Sequence, residues 1–78
     1  MEIVDNFYNK VLKEIDSIYF PDVKYYMDDR RTMNIHRIME HFNNGCVTYD
    51  KMIKIVAKNC KDTEFNINKI VSKYIVKF

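Results

Sequence analysis

Glycine and proline are nearly absent from this 78-residue chain, which has one of each, Gly45 and Pro21. A glycine-rich phosphate loop needs several glycines close together, because its backbone must approach the phosphates, so this class of nucleotide site is excluded. Tryptophan is missing, and there are only two cysteines, Cys46 and Cys60. Two cysteines without a secretory context indicate free thiols rather than a disulfide scaffold.

Long apolar runs are also missing. No stretch approaches the roughly 18 apolar residues of a membrane-spanning helix. The N-terminal residues include Glu2 and Asp5 and lack the basic-then-apolar order of a signal peptide. We therefore expect a cytoplasmic protein with no membrane partner.

Leucine and alanine occur once each, whereas Lys, Asn, Ile, Tyr and Phe make up 39 of the 78 residues. These five residues have A/T-rich codons, so the composition indicates an A/T-rich genome. Phages, mobile elements, low-GC bacteria and some large viruses all fit this composition. If the gene is viral, the expected location is the host cytoplasm.

Length and composition predict one small globular domain over residues 1–78. A chain of this size buries roughly 60 to 65% of its unfolded surface, which is enough for one core. With 47% hydrophobic residues and a net charge of +2, the composition excludes the disordered class.

Helical periodicity covers most of the chain. Apolar residues recur along one face of residues 3–19, and Pro21 ends that helix because Phe20 before it is pushed out of the α region. A short second helix is predicted over 23–27. A third helix with Thr32 as its N-cap is predicted to end at Gly45, where a left-handed cap is needed.

Two further helices are predicted in the C-terminal half. Thr48 is the expected N-cap of the fourth, with Val47 and Met52 as a hydrophobic staple. Phe65 and Ile70 suggest a second staple before a last helix with an inner face over 67–78. Because that segment is rich in β-branched and aromatic residues, a C-terminal strand is the alternative. The predicted fold is all-α, a compact bundle of four or five short helices.

The lysines are concentrated in the C-terminal half. Residues 46–78 carry a net charge of +4, whereas residues 1–45 carry −2. A basic half on a small domain is typical of a protein with a polyanionic or acidic partner. The candidate residues for nucleic acid or an acidic partner are Lys51, Lys54, Lys58, Lys61, Asn66, Lys69, Lys73 and Lys77.

The last two predicted helices have partial helix-turn-helix spacing, in which a small residue such as Ala57 permits close crossing of two helices. Asn66 would then face the major groove of DNA. Lys61 and Asp62 depart from the glycine and apolar residue usual in such a turn. The three arginines, the preferred bidentate readers of guanine, all precede the basic half.

Catalytic and metal chemistry have little support. His36, His41, Cys46 and Cys60 do not form the close pairs that structural zinc sites use. No spacing suggests a nucleophile beside a base. We therefore expect a non-enzymatic protein with no metal and no cofactor.

Aromatic residues crowd around Pro21, and Tyr and Met are enriched at protein interfaces. The candidate protein-binding residues are Phe20, Tyr25, Tyr26 and Met27; the alternative is that these rings cap the bundle. The sequence favours stoichiometric attachment to a larger protein or nucleoprotein, as an inhibitor, adaptor or regulator. The alternative function is a nucleic-acid-binding module with a helix-turn-helix-like C-terminal half. The oligomeric state stays open.

Overall fold

The computed structural model describes the backbone of residues 2–75 and the side chains of residues 8–75. This part of the chain forms four α-helices, one short 3-10 turn and no strand. The helices are α1 (Glu2–Tyr19), α2 (Arg30–Asn43), α3 (Tyr49–Cys60) and α4 (Glu64–Val71), and the 3-10 turn is Tyr26–Asp28. The predicted all-α bundle is confirmed.

The helices pack in a closed circuit, with α1 against α2, α2 against α3, α3 against α4 and α4 against α1. Each helix buries its apolar stripe toward the centre, because a single small core must cover all four stripes. The largest fully buried apolar side chains are Ile15, Ile35, Met39, Met52 and Ile67. No helix among the described residues is long and apolar enough to cross a membrane.

The start of α2 differs from the prediction. The N-cap is Asp29, whose carboxylate accepts a hydrogen bond from the Arg31 amide at 2.8 Å and binds the Arg31 guanidinium. Thr32 is fully buried inside the helix instead. The Asp29 carboxylate caps the helix because it can accept a hydrogen bond from the Arg31 amide and pair with the Arg31 guanidinium at the same time. The prediction of Thr32 as N-cap is therefore wrong.

The predicted helix over 23–27 is also wrong, because the chain there forms only the 3-10 turn at Tyr26–Asp28. Tyr25 has an extended backbone, with φ −134° and ψ 126°, and this conformation prevents a longer helix. The end of α1 at Tyr19, before Pro21, is as predicted.

Most helix caps in the C-terminal half lie where the sequence predicts them. Gly45 takes the left-handed conformation with φ 79°, and the Thr48 hydroxyl accepts from the Lys51 amide at 3.2 Å. The last helix instead begins with Thr63 as N-cap, so Phe65 lies inside its first turn and forms no staple. Residues 64–71 are helical rather than a strand. The predicted contribution of Phe78 lies outside the described residues.

Candidate functional site

Three consecutive large side chains, Tyr25, Tyr26 and Met27, project from the 3-10 turn, and we call them the aromatic turn. Their exposed fractions are 53%, 37% and 50%. Phe20 behaves differently, since it is only 4% exposed and belongs to the core. Its amide bonds to the Asp16 carbonyl at 2.9 Å, so the side chain continues the inner face of α1. Phe20 therefore supports the surface from below and exposes little area to a partner, and its role as a binding residue stays a prediction.

Hydrogen bonds hold the aromatic turn in one conformation. The Thr32 hydroxyl lies 2.5 Å from the Tyr26 carbonyl and 2.9 Å from the Asp29 carbonyl, so its single proton serves these two acceptors. The Asp28 amide closes the turn on the Tyr25 carbonyl at 2.9 Å. Thr32 thus ties the turn to the first turn of α2.

Contacts of the aromatic rings order the side chains of the aromatic turn. The Tyr25 and Tyr26 rings meet edge to face with centroids 5.3 Å apart, and the Tyr25 hydroxyl lies 3.1 Å from the Met27 sulfur. The Tyr26 ring also stacks on the imidazole of His36. His36 Nε2 lies 3.0 Å from Asp16 Oδ2, so α1, α2 and the turn meet at this imidazole.

Two concave regions flank the Tyr26 ring. One is an open cavity of 870 Å³ between the turn and α1, lined by Leu12 and Phe20 and bordered by Lys13 and Lys24. The other is a cavity of 200 Å³ between the turn and α2. The aromatic turn is therefore a projecting ridge with an indentation on each side.

The C-terminal lysines divide into two groups. Lys51, Lys54 and Lys58 are exposed on α3, with Lys61 at its C-cap, and none of the four forms an ion pair in the described part of the chain. Spacings of three and four residues place them along the side of α3 opposite the buried Met52, Ile53 and Val56. We call these four residues the α3 lysine row.

Two lysines in and just after α4, Lys69 and Lys73, have partners. Lys73 forms an ion pair with Glu14 of α1, and the Tyr74 hydroxyl donates to the same carboxylate. Both hydrogen bonds lower the pKa of Glu14. Lys69 Nζ lies 5.5 Å from the centre of the Phe65 ring. Lys77 lies outside the described residues.

The hydrogen bonds of Asn66 are relevant to the helix-turn-helix interpretation, in which this side chain faces DNA. The Asn66 amide donates to Asp62 Oδ1 at 2.8 Å, while the Tyr19 hydroxyl donates to Asp62 Oδ2 at 2.5 Å. These two hydrogen bonds lower the pKa of Asp62. Asn66 therefore already has a partner in the free protein, and its contact with the major groove of DNA stays a prediction.

No protein-family model, curated protein or solved structure matches the chain.

Groups that could support metal or thiol chemistry are dispersed. No cluster of three or more His, Cys, Asp or Glu side chains occurs among the described residues. Both cysteines are free thiols, Cys46 exposed and Cys60 half-buried. Burial, with a smaller contribution from Asp62 and Asp16, raises the pKa of Cys60 to about 12. Cys60 is thus a core thiol that stays protonated at neutral pH.

Two residues gain importance from the structure. His36 supports the aromatic turn, although it lies ten residues from Tyr26 and twenty from Asp16. Phe65 is 70% exposed on α4. The signal for Phe65 was Thr63, since a cap at that position places residue 65 in the first turn of a helix and away from the apolar face formed by Ile67, Ile70 and Val71.

Proposed function

We propose that this protein is a non-enzymatic binding protein that attaches stoichiometrically to a larger protein or nucleoprotein through the aromatic turn. The observation that supports this function is the presentation of Tyr25, Tyr26 and Met27 on a turn that is fixed before binding. Each of them is at least 37% exposed, although large apolar side chains are usually buried in a core.

Pre-organisation makes such a ridge suitable for binding. Side chains that are already ordered lose little conformational entropy when a partner covers them. Tyrosine is especially effective, because a large ring is placed by only two torsion angles. The edge-to-face contact of Tyr25 with Tyr26 and the stack of Tyr26 on His36 restrict those torsions in the free protein.

The surroundings have the anatomy of an interface, with an apolar centre and a polar rim. Lys24 and Asp28 flank the ridge and are exposed. The 870 Å³ cavity beside Tyr26 has apolar walls at Leu12 and Phe20 that a partner side chain would cover. A partner with a groove for the ridge and a side chain for this cavity fits the surface best.

Affinity capture from the source cell tests the proposal, with the captured partner then purified for binding measurements. Tyr25→Ala and Met27→Ala should each weaken the complex by about 2 kcal/mol or more, as hot-spot residues do. Ile18→Ala is the matched control, since Ile18 is 51% exposed but lies on α1 outside the ridge. Thermal unfolding of all three variants should stay close to that of the unsubstituted protein.

Two results would contradict the proposal. Unchanged affinity in both ridge variants would remove the aromatic turn from the interface. A large loss of folding stability in both would make the rings part of the core. Capture that disappears after nuclease treatment and is unchanged in Tyr25→Ala and Met27→Ala would favour the alternative, a nucleic-acid-binding module with a helix-turn-helix-like C-terminal half.

A further inference from the structure

Phe65 is the most exposed of the large apolar side chains in the described part of the chain, at 70%. It lies in the first turn of α4, whose opposite face packs into the core through Ile67 and Ile70. Lys69 Nζ, one helical turn further, lies 5.5 Å from the ring centre. An aromatic ring and a cation are thus presented together on the outer face of α4.

The charge near this ring is mixed, because Asp62 and Glu64 lie within three residues of it, and the unpaired positive charge is concentrated on the neighbouring helix α3. The α3 lysine row ends at Lys61, four residues before Phe65, and α3 packs directly against α4. None of its four lysines, nor Lys69, forms an ion pair among the described residues. Unpaired lysines on one helix and an exposed aromatic ring on the helix packed against it form the combination that proteins use to follow a single strand of nucleic acid, with phosphates at the cations and a base on the ring.

We propose that the outer face of α3 and α4 binds single-stranded nucleic acid, with Phe65 stacking on a base and the α3 lysine row and Lys69 neutralising phosphates. This surface shares no residue with the aromatic turn, so the proposal is independent of the proposed function.

A single strand fits better than duplex DNA. A ring can stack only on a base that is unpaired or splayed out, and every base has a face for such stacking. Duplex reading would need free side chains on and next to α4, but Asn66 of α4 is hydrogen-bonded to Asp62, and Lys73, just after α4, is paired with Glu14. Helix α4 is only 8 residues long, and its first residue is the acidic Glu64.

The cations of this surface are lysines, not arginines, which also favours contact with phosphates over recognition of particular bases. A lysine ammonium neutralises a phosphate as a point charge, whereas bidentate recognition of guanine requires the arginine fork. The arginines of the chain, Arg30, Arg31 and Arg37, are all on α2. We therefore expect little dependence on base sequence.

Fluorescence anisotropy with labelled oligothymidine, oligouridine and a duplex of equal length tests the proposal, at about 50 mM salt and at increasing salt. The single strands should bind more tightly than the duplex. The logarithm of the association constant should fall by about 0.7 per decade of salt for each phosphate contacted. Lys58→Glu should weaken binding and reduce this slope, whereas Lys10→Glu, at an exposed lysine of α1, should have a much smaller effect.

Variants of Phe65 separate stacking from charge. Phe65→Ala and Phe65→Leu should each weaken single-strand binding by roughly 5- to 150-fold, the range for loss of one stacked base, with the salt slope unchanged. Phe65→Tyr should retain the affinity because the ring is kept. Circular dichroism melting confirms the fold of each variant, which an exposed side chain supports little.

Three results would overturn the proposal. No binding of any oligonucleotide at about 50 mM salt would leave this surface to an acidic protein or to solvent. Duplex binding as tight as single-strand binding would contradict the preference for unpaired bases. Equal affinity of Phe65→Leu and the unsubstituted protein would reduce the interaction to unspecific charge attraction.

Discussion

The phenol ring of Tyr26 stacks on the imidazole of His36, with centroids 4.0 Å apart and planes within 3° of parallel. The same imidazole contacts Asp16 through Nε2. A side chain of α2 therefore joins an exposed ring of the aromatic turn to a carboxylate on α1. The order of the turn depends on this connection as well as on its own backbone hydrogen bonds.

His36→Ala should loosen the aromatic turn. The substitution removes a stacked ring pair, worth about 0.5 to 1.5 kcal/mol beyond the buried area, and the partner of Asp16 Oδ2. His36→Phe keeps a ring under Tyr26 and loses only the contact with Asp16. Limited proteolysis within residues 20–29 should be faster in His36→Ala than in His36→Phe. Equal rates in the two variants would show that the stack does not restrain the turn.

Thr32→Val should destabilise the protein by about 0.5 to 1.5 kcal/mol, because the Tyr26 carbonyl loses the hydroxyl donor, whereas the Asp29 carbonyl still accepts from the Met33 amide. Thr32→Ser keeps the donor and loses one methyl group, so it should lose less stability than Thr32→Val. Urea unfolding at neutral pH measures both. The reverse order would mean that methyl packing, not the hydroxyl, holds the turn.

Acid should destabilise the protein partly through Glu14. Hydrogen bonds from Lys73 and Tyr74 lower the pKa of Glu14 in the folded state. A depressed folded pKa means that the stabilisation is complete above the unfolded value of about 4.3 and is lost as the pH falls through the folded pKa.

In Glu14→Gln, the free energy of unfolding should therefore fall less steeply with decreasing pH below about pH 4.3. Glu40→Gln is the control, at an exposed carboxylate of α2 that forms no ion pair in the described region. Urea unfolding across this pH range measures the slope. A parallel slope in Glu14→Gln and the unsubstituted protein would contradict the role of Glu14.

The two thiols should differ in reactivity. At about pH 8, an iodoacetamide reagent should label exposed Cys46 in the native protein and leave Cys60 unmodified, since burial raises the pKa of Cys60 to about 12. Mass spectrometry of Cys46→Ser should show labelling only after denaturation. Rapid native labelling of Cys46→Ser would indicate that the end of α3 opens to solvent.

Two isoleucines on one helix test the core. Ile15 is fully buried and Ile18 is 51% exposed, although both lie on α1. Ile15→Ala should therefore cost about 2 to 4 kcal/mol in the free energy of unfolding, with a much smaller loss for Ile18→Ala. Chemical denaturation followed by circular dichroism compares them. Similar losses would place Ile18 in the core as well.

Features set by near neighbours in the sequence were predicted best. The end of α1 follows from Pro21, and the caps at Gly45 and Thr48 follow from the backbone and side-chain chemistry of those residues.

Two kinds of feature were predicted poorly. One is the choice between neighbouring residues that can play the same role, and the other is contact between residues far apart in the sequence. Asp29 and Thr32 can each cap a helix, and the choice depends on whether a buried hydroxyl at residue 32 finds the Tyr26 carbonyl. The contact of His36 with Asp16 joins two helices, and no spacing rule predicts such a pair. The pairing of Lys73 with Glu14 spans 59 residues and also reduces the free positive charge that the sequence indicates.

The left-handed backbone of Lys61 offers a way to separate charge from stability. Lys61 has φ 57°, a conformation that costs a residue with a Cβ about 1 to 2 kcal/mol and that glycine adopts freely. Lys61→Gly therefore removes a cation from the α3 lysine row while relieving backbone strain at the end of α3. The variant should bind a polyanion less tightly and unfold at a higher denaturant concentration. Because the two changes have opposite signs, a loss of affinity in this variant could not be attributed to unfolding.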